Sequence, residues 1–275
     1  MRHSPLPASI APSSSRVIER VDWPAAIEAQ LLDALAGSGA EPVEAGGFRV
    51  HLWHQPDPFY RNVAVPVARP ADWPPAIRLM DGVFRAAGRP ARLEFIEERW
   101  PDLALALGDA GFVRRQRMPV MILDRPGTGA PASEVELLGP GTAPDLVAAT
   151  LDALNAAFGQ SMTESTRAAE TRQMVEDLGS GRTRVAVVLM DGDPVAGACL
   201  IGNGRAAELA GVWTAPGYRR CGLGTAACRA LLDRFLTDGG RFAWLGAHGD
   251  AARALYARLG FRPVGHQLDY SRPDA

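Results

Sequence analysis

Apolar positions along this chain alternate between a helical period and a strand period. Ile27, Leu31, Leu32 and Leu35 share one helix face, behind Asp22 as a cap and Pro24 in the first turn, and Gly37 and Gly39 end that helix. Residues 48–53 and 63–67 read as strands of a hairpin, with Pro66 marking an edge or a bulge. The spacing of Ile77, Met80, Val83, Phe84 and Ala87 predicts a helix over residues 76–87. A strand at 93–96, a helix at 101–110, the pair Gly111-Phe112 and a strand at 118–123 follow. Further on, the pattern predicts strands at 135–138, 184–190, 195–201, 205–214 and 242–245, with a turn at Asp191-Gly192-Asp193-Pro194. Helices are expected at 144–157, 167–178 and 223–236, and a helix carrying Leu255-Tyr256 precedes a closing strand.

Between these two series, residues 125–133 are built of Pro, Gly, Thr, Ala and Ser after one arginine, a composition that packs no core. The reading is a tail at 1–16, a first domain at 17–124, a linker at 125–133 and a second domain at 134–275. The ends of the two parts repeat one another. Leu93-Glu94-Phe95, a helix and Gly111-Phe112 parallel Phe242-Ala243-Trp244, a helix and Gly260-Phe261, and Phe95 precedes Phe112 by the separation of Trp244 from Phe261. Two copies of one fold are expected.

The richest chemistry lies where the 205–214 strand becomes a glycine turn and opens a helix: Val212, Trp213, Thr214, then Arg219, Arg220, Cys221, Gly222, Leu223, Gly224 and Thr225. Gly222 and Gly224 remove β-carbons that block close approach, so successive N–H groups can converge on one anion at the positive end of a helix. The two arginines supply charge-assisted donors to phosphate oxygens. Gly222, Gly224 and Ala227 also fit the alanine variant of a dinucleotide fingerprint. That motif needs an acid about twenty residues on to hold a ribose, where this chain has Arg241-Phe242-Ala243-Trp244-Leu245.

The spacing Arg219-x-x-Gly222-x-Gly224 after a strand ending in Thr-x-Pro resembles the acyl-coenzyme A loop of the GNAT superfamily of N-acetyltransferases. The run from Ala251 to Phe261, with Leu255-Tyr256 and Gly260-Phe261, resembles that family's second motif. The resemblance covers much of residues 134–270. It implies an α+β fold of two tandem GNAT-like domains, each a mixed, mostly antiparallel twisted sheet flanked by helices. It implies an acetyl-CoA donor held by residues 212–214 and 219–225, and an amine acceptor on a small molecule or peptide. Glu208, fourteen residues before Gly222, stands where some members place a general base, and Tyr256 stands where the family protonates the departing thiolate. The family often has an asparagine where this chain has Gly249, between His248 and Asp250. His248 could serve instead as base or cofactor contact, although a lone histidine in a strand-to-helix turn is more often structural.

The first part lacks these features. Arg69-Pro70-Ala71-Asp72-Trp73-Pro74-Pro75 replaces the glycine turn, with prolines that have no N–H and an Asp72 expected to cap its own helix, and Leu107 replaces Tyr256. The tandem arrangement is similar to that of mycothiol synthase, which leaves an amino-sugar conjugate open as acceptor. A non-catalytic acyl-CoA sensor is the alternative of another class, separated by whether free thiol is released. An acceptor pocket is expected from the loop at 158–163.

Charge and cysteine content narrow the partners. The 29 basic residues, all arginine, against 31 acidic ones give a net charge of −2, which offers no electrostatic reason for nucleic acid or an anionic membrane. Cys199, Cys221 and Cys228 cannot all pair and have no metal-ligand spacing, pointing to a reducing, cytoplasmic setting. Cys221 sits at a helix start where thiols can be reactive, but the motif uses this position through its backbone. His51 and His54 on a strand point to opposite faces without a third ligand, so no metal is expected. No run approaches a membrane span, and the proline-rich start fits no signal peptide.

Overall fold

The computed structural model describes residues 21–37, 39–53, 62–125, 135–202 and 204–273. The tail, His54 and all of the linker after Arg125 lie outside them. The first half runs α1 (Trp23–Gly37), β1 (Glu41–Ala45), β2 (Phe48–Leu52), β3 (Val63–Pro66), α2 (Trp73–Ala86), β4 (Arg92–Ile96), α3 (Leu103–Asp109) and β5 (Val113–Leu123). The second runs β6 (Val135–Leu138), α4 (Pro144–Ala157), α5 (Glu164–Ser180), β7 (Thr183–Met190), β8 (Asp193–Ile201) and β9 (Ala206–Thr214). A 3-10 turn (Pro216–Tyr218), α6 (Leu223–Thr237), β10 (Phe242–Gly246), α7 (Gly249–Arg258) and β11 (Arg262–Ser271) complete it. Local chemistry accounts for several boundaries. Asp22 Oδ1 accepts the Ala25 N–H at 3.1 Å to open α1. Asp191 and Gly192, at φ 52° and 89°, make the tight turn of the β7–β8 hairpin.

The expected mixed, mostly antiparallel sheet flanked by helices is present, with the two halves joined edge to edge. One eleven-stranded sheet has the order β1-β2-β3-β4-β11-β5-β10-β9-β8-β7-β6. The parallel pairs are β3–β4 and β9–β10, at corresponding places in the two halves. Each half gives its last strand to the other. β5 completes the second half beside β10, β11 completes the first beside β4, and the two pair with each other along most of their length.

The cores record this exchange. Leu268 and Tyr270 of β11 pack with Phe84, Leu93 and Phe95 under α2 and α3, Tyr270 stacking on Phe95 at 5.9 Å. Met121 and Leu123 of β5 pack with Leu231 and Phe235 under α6. On the opposite face α1 covers the middle of the sheet, where Ile27 and Leu31 meet Val65, Ile96, Val120, Ile122, Phe242 and Trp244.

The repeat seen in the sequence holds in its helix and turn: Phe112 N–H donates to Leu107 O at 2.9 Å, and Phe261 N–H to Tyr256 O at 3.0 Å. It does not hold residue by residue in the strand. Phe95 faces α2 and α3 while Trp244 faces α1, so their equal spacing does not make them equivalent. Asp72 stands before α2 but makes no cap hydrogen bond. Arg69 instead grips Asp102 with two guanidinium nitrogens at 2.6 and 2.9 Å, and Trp73 Nε1 donates to the same carboxylate at 3.2 Å.

Leu268 belongs by sequence to the second half and by packing to the first, with no exposed surface. Leu268→Ala is expected to cost about 2–5 kcal/mol in urea unfolding, the usual range for a truncated core leucine, and to shift one common transition. Two separate transitions, only one of them moved, would contradict this.

Candidate active site

The site begins where two neighbouring strands part. β9 and β10 pair through Ala206–Phe242, Ala207–Ala243 and Glu208–Trp244. Beyond that point β9 continues with β8 and β10 with β5, which opens the sheet between them. Cys199 pairs with Ala210 and Gly197 with Trp213, so Ala198 faces both Gly211 and Val212 in a bulge, with Gly211 at φ 53°. The bulge turns the last residues of β9 toward the start of α6.

Gly222 precedes α6 at φ 80°, a conformation that disfavours a side chain, and Arg220 adopts φ 66° beside it. No side chain caps α6 and its first turn holds no acid, so the leading N–H groups stay open to a ligand. At Gly224 a β-carbon would stand 2.9 Å from Thr214 Oγ1, so glycine lets the helix start sit directly on the strand end. Arg219 Nε donates to Thr214 O at 3.2 Å, tying the turn to the same strand. This arrangement suits a diphosphate physically: open N–H donors, a helix dipole and two guanidinium groups converge.

A cleft of about 550 Å³ runs from this cradle to α7. It is lined by Val212, Trp213, Thr214, Arg219, Arg220, Gly222, Leu223, Gly224 and Thr225, together with Tyr256. Cys221 is exposed and not part of the lining; its thiol turns to Arg219 O at 3.6 Å. Trp213 borders the cleft, but its indole is buried over Gly197. Ala157, Phe158, Ala252, Leu255 and Arg258 also line the cleft; Phe158 belongs to the 158–163 loop and Ala252, Leu255 and Arg258 to the second motif, while Ala157 had no sequence signal. Tyr256 packs edge-on against Phe261 at 6.0 Å. Burial, with a smaller effect of Cys228, pushes its phenol up to about 12.

Glu208 does not share that cleft. It pairs with Trp244 and faces the α1 side, while its neighbours Ala207 and Leu209 face α6. The sheet separates Glu208 from Tyr256, and the opening between β9 and β10 begins at Glu208. Burial pushes its carboxyl up to about 8, with a further upward push from the Glu94 charge.

Glu94 was read in the sequence only as a strand residue. In β4 it lies two residues from Ile96, on the α1 side, where Arg92 binds it and Gln267 Nε2 donates to it at 3.2 Å. Arg92 also reaches Asp269 at 3.2 Å. Burial raises the Glu94 pKa against the lowering effect of Arg92. His248 lines a second cleft of about 380 Å³, with Gln116, Met118 and Arg253, rather than the cradle. His51 is fully buried, neither ring nitrogen has a partner among the described residues, and burial takes it down to about 4. No helix among the described residues is long and apolar enough to cross a membrane.

Comparison with known proteins bears on the fold and on the second half of the chain. Residues 149–261 match the acetyltransferase (GNAT) family. No curated protein sequence matches the chain. A solved GCN5-related N-acetyltransferase from Kribbella flavida is 26% identical, with a TM-score of 0.73 over 92% of this chain and 96% of that one. A tandem GNAT protein from the clavulanic acid biosynthesis pathway is 16% identical, with a TM-score of 0.57 over 92% and 97%. A GCN5-related N-acetyltransferase from Sphaerobacter thermophilus is 16% identical, with a TM-score of 0.56 over 83% and 78%. Fold and site together define an acyltransferase enzyme. Its second half carries the pattern of the acetyltransferase (GNAT) family over residues 149–261.

Glu208 provides a test of the site's electrostatics. A carboxyl that holds its proton to about 8 when folded, against 4.5 ordinarily, makes the folded state bind the extra proton between those values. Stability therefore falls as pH rises through that window. Glu208→Gln should raise the Tm more at pH values above the window than below it. An equal change at both ends would contradict the buried-charge assignment.

Proposed function

We propose that this protein transfers an acetyl group from acetyl-CoA to a primary amine, with Glu208 and Tyr256 as its proton-transfer groups. The observation that carries the reading is that one cleft contains both the open cradle at α6 and Tyr256. The donor supplies an activated thioester. Its diphosphate is held by the N–H groups around Leu223, Gly224 and Thr225 and by Arg219 and Arg220. Val212, Trp213 and Thr214 line the path inward, and their bulge directs it to the opening between β9 and β10.

An amine acceptor arrives protonated, since an alkyl ammonium has a pKa of about 10.4. Glu208, held near 8, is a better-matched base than an ordinary carboxylate and takes that proton. The neutral nitrogen bonds to the carbonyl carbon, the carbon–sulfur bond breaks and the sulfur receives the Tyr256 proton, while the extra proton on the new amide nitrogen is lost through water and restores the phenol. A phenol near 12 is a poor donor to a thiolate in water. Burial in this same core, however, pushes the Cys228 thiol up to about 12, so a sulfur enclosed beside Tyr256 meets a comparable shift.

The repeated strand order supports reading residues 17–124 and 134–275 as two GNAT-like halves, the first without a cofactor cradle. There Pro74 lies in the first turn of α2, and the Arg69–Asp102 pair sits beside it. An amino-sugar conjugate and a peptide amine both remain within this reading.

Gly222→Glu should abolish acetyl-CoA binding in calorimetry by filling the cradle with a side chain and a like charge, and unchanged affinity would overturn the reading. Arg220→Ala should weaken binding by about 1.5–3 kcal/mol, as for one charge-assisted contact. Tyr256→Phe should retain cofactor affinity and lower kcat roughly 10²–10⁴-fold. In wild type, kcat/KM should rise with pH through about 8, and Glu208→Gln should lose that limb, recovering only as the amine itself deprotonates. Cofactor binding with no thiol released from any amine would favour a sensor instead.

A further inference from the structure

The cleft that joins the cradle to α7 carries more positive charge than a diphosphate needs. Its lining includes Arg219, Arg220 and Arg258, and no aspartate or glutamate. Among the described residues none of these three arginines has a carboxylate partner, and Arg219 Nε donates only to the Thr214 carbonyl. The arginines on either side of Arg258 in sequence are different. Arg253, on the same helix, binds Asp250 at 3.1 Å, and Arg262, at the start of β11, binds Asp124 at 2.9 Å.

The geometry of α7 explains how Arg258 comes to face the cleft. Ala252, Leu255 and Arg258 follow one another at three-residue spacing, which sets them along one stripe of the helix, and all three stand in the cleft wall beside Tyr256. Leu259 and Phe261, just beyond, are buried in the core under α6 and anchor the end of the helix. A cation in the last turn of a helix is favoured by the dipole wherever it points. That preference explains an arginine at this position, but not a guanidinium standing with two others in a wall that has no acid.

The charges can be matched to a ligand. A diphosphate that bridges two esters carries two negative charges, which the N–H groups of the cradle, Arg219 and Arg220 answer at one end of the cleft. Arg258 belongs to α7 and not to the cradle, so it is left for a separate anion. A phosphomonoester carries about 1.5 to 2 further negative charges at pH 7 and matches a guanidinium through two oxygens. Coenzyme A has one such group, on the 3′ oxygen of its ribose.

We propose that Arg258 holds the 3′-phosphate of the donor, so that the cleft selects coenzyme A over carriers that present the same thioester without that group. This rests on the acetyl-transfer reading and adds to it a donor-selecting residue. Phosphopantetheine attached to a carrier protein has neither the diphosphate nor the ribose phosphate, and it would leave Arg258 without a counter-charge. The donor is then a free acyl-CoA and not a carrier-bound acyl group. A phosphorylated acceptor would offer Arg258 the same chemistry, and the test separates the two sources.

Calorimetry on the full chain compares coenzyme A with 3′-dephospho-coenzyme A, which differ only in that phosphate. Coenzyme A should bind at least about tenfold tighter, as for one charge-assisted contact. Arg258→Gln should bring the two ligands to within about threefold of each other while leaving the affinity for the dephospho form unchanged. Arg220→Gln should weaken both ligands alike and leave their ratio as in the wild type. Thermal unfolding confirms that both variants fold. Failure of either ligand to bind the wild type would overturn the acetyl-CoA reading itself. Equal affinity of the two ligands for the wild type keeps acetyl transfer and overturns this inference, including where a phosphorylated acceptor is found to use Arg258. A preference for coenzyme A that survives Arg258→Gln likewise keeps the donor and removes Arg258 from its recognition.

Discussion

The antiparallel pairing of β5 with β11 is the contact on which the rest of this structure depends. Each strand ends its own half in sequence and completes the sheet of the other in space. The exchange places Met121 and Leu123 under α6 and Leu268 and Tyr270 under α2 and α3, so neither core closes without the other half. An isolated half would present a bare edge and an unfilled face together, both of which invite aggregation. The linker at 125–133 separates the halves in sequence, while the sheet runs on across them.

Two kinds of electrostatics are built on that frame, one on each side of the sheet. On the α6 side, the helix start offers N–H groups, a positive dipole end and two arginines to an anion, at a surface that water can reach. On the α1 side, Glu208 and Glu94 are buried, and burial raises both of their pKa values. The parting of β9 from β10 joins the two environments, because the last paired residue of β9 is Glu208 itself. On the proposed reading, donor and acceptor approach one reacting centre from opposite faces, and the opening accommodates both.

The cradle was legible in the sequence because its parts are contiguous. Strand, glycine turn and helix start lie within fifteen residues of one another, and their roles follow from backbone chemistry. Most helices and strands were legible for the same reason, their apolar period being local. β1 and the first residues of β5 were not, since Glu41–Ala45 and the run Val113 to Arg117 are largely exposed and show no apolar period. The Asp72 cap failed because the second and third residues of α2 are Pro74 and Pro75, which have no N–H to donate to it. The group of acidic residues on the α1 side was the least legible part. Glu94, Glu208, Gln267 and Asp269 come from three strands, and only the exchange of β11 brings them together.

Backbone amide hydrogen exchange of the whole protein, with and without acetyl-CoA, tests the central claim most directly. The N–H groups of Leu223, Gly224 and Thr225, uncapped at the start of α6, should gain protection when the donor is present, while the corresponding start of α2 should not change. Equal exchange at α6 in both states, or protection at α2 instead, would contradict the account.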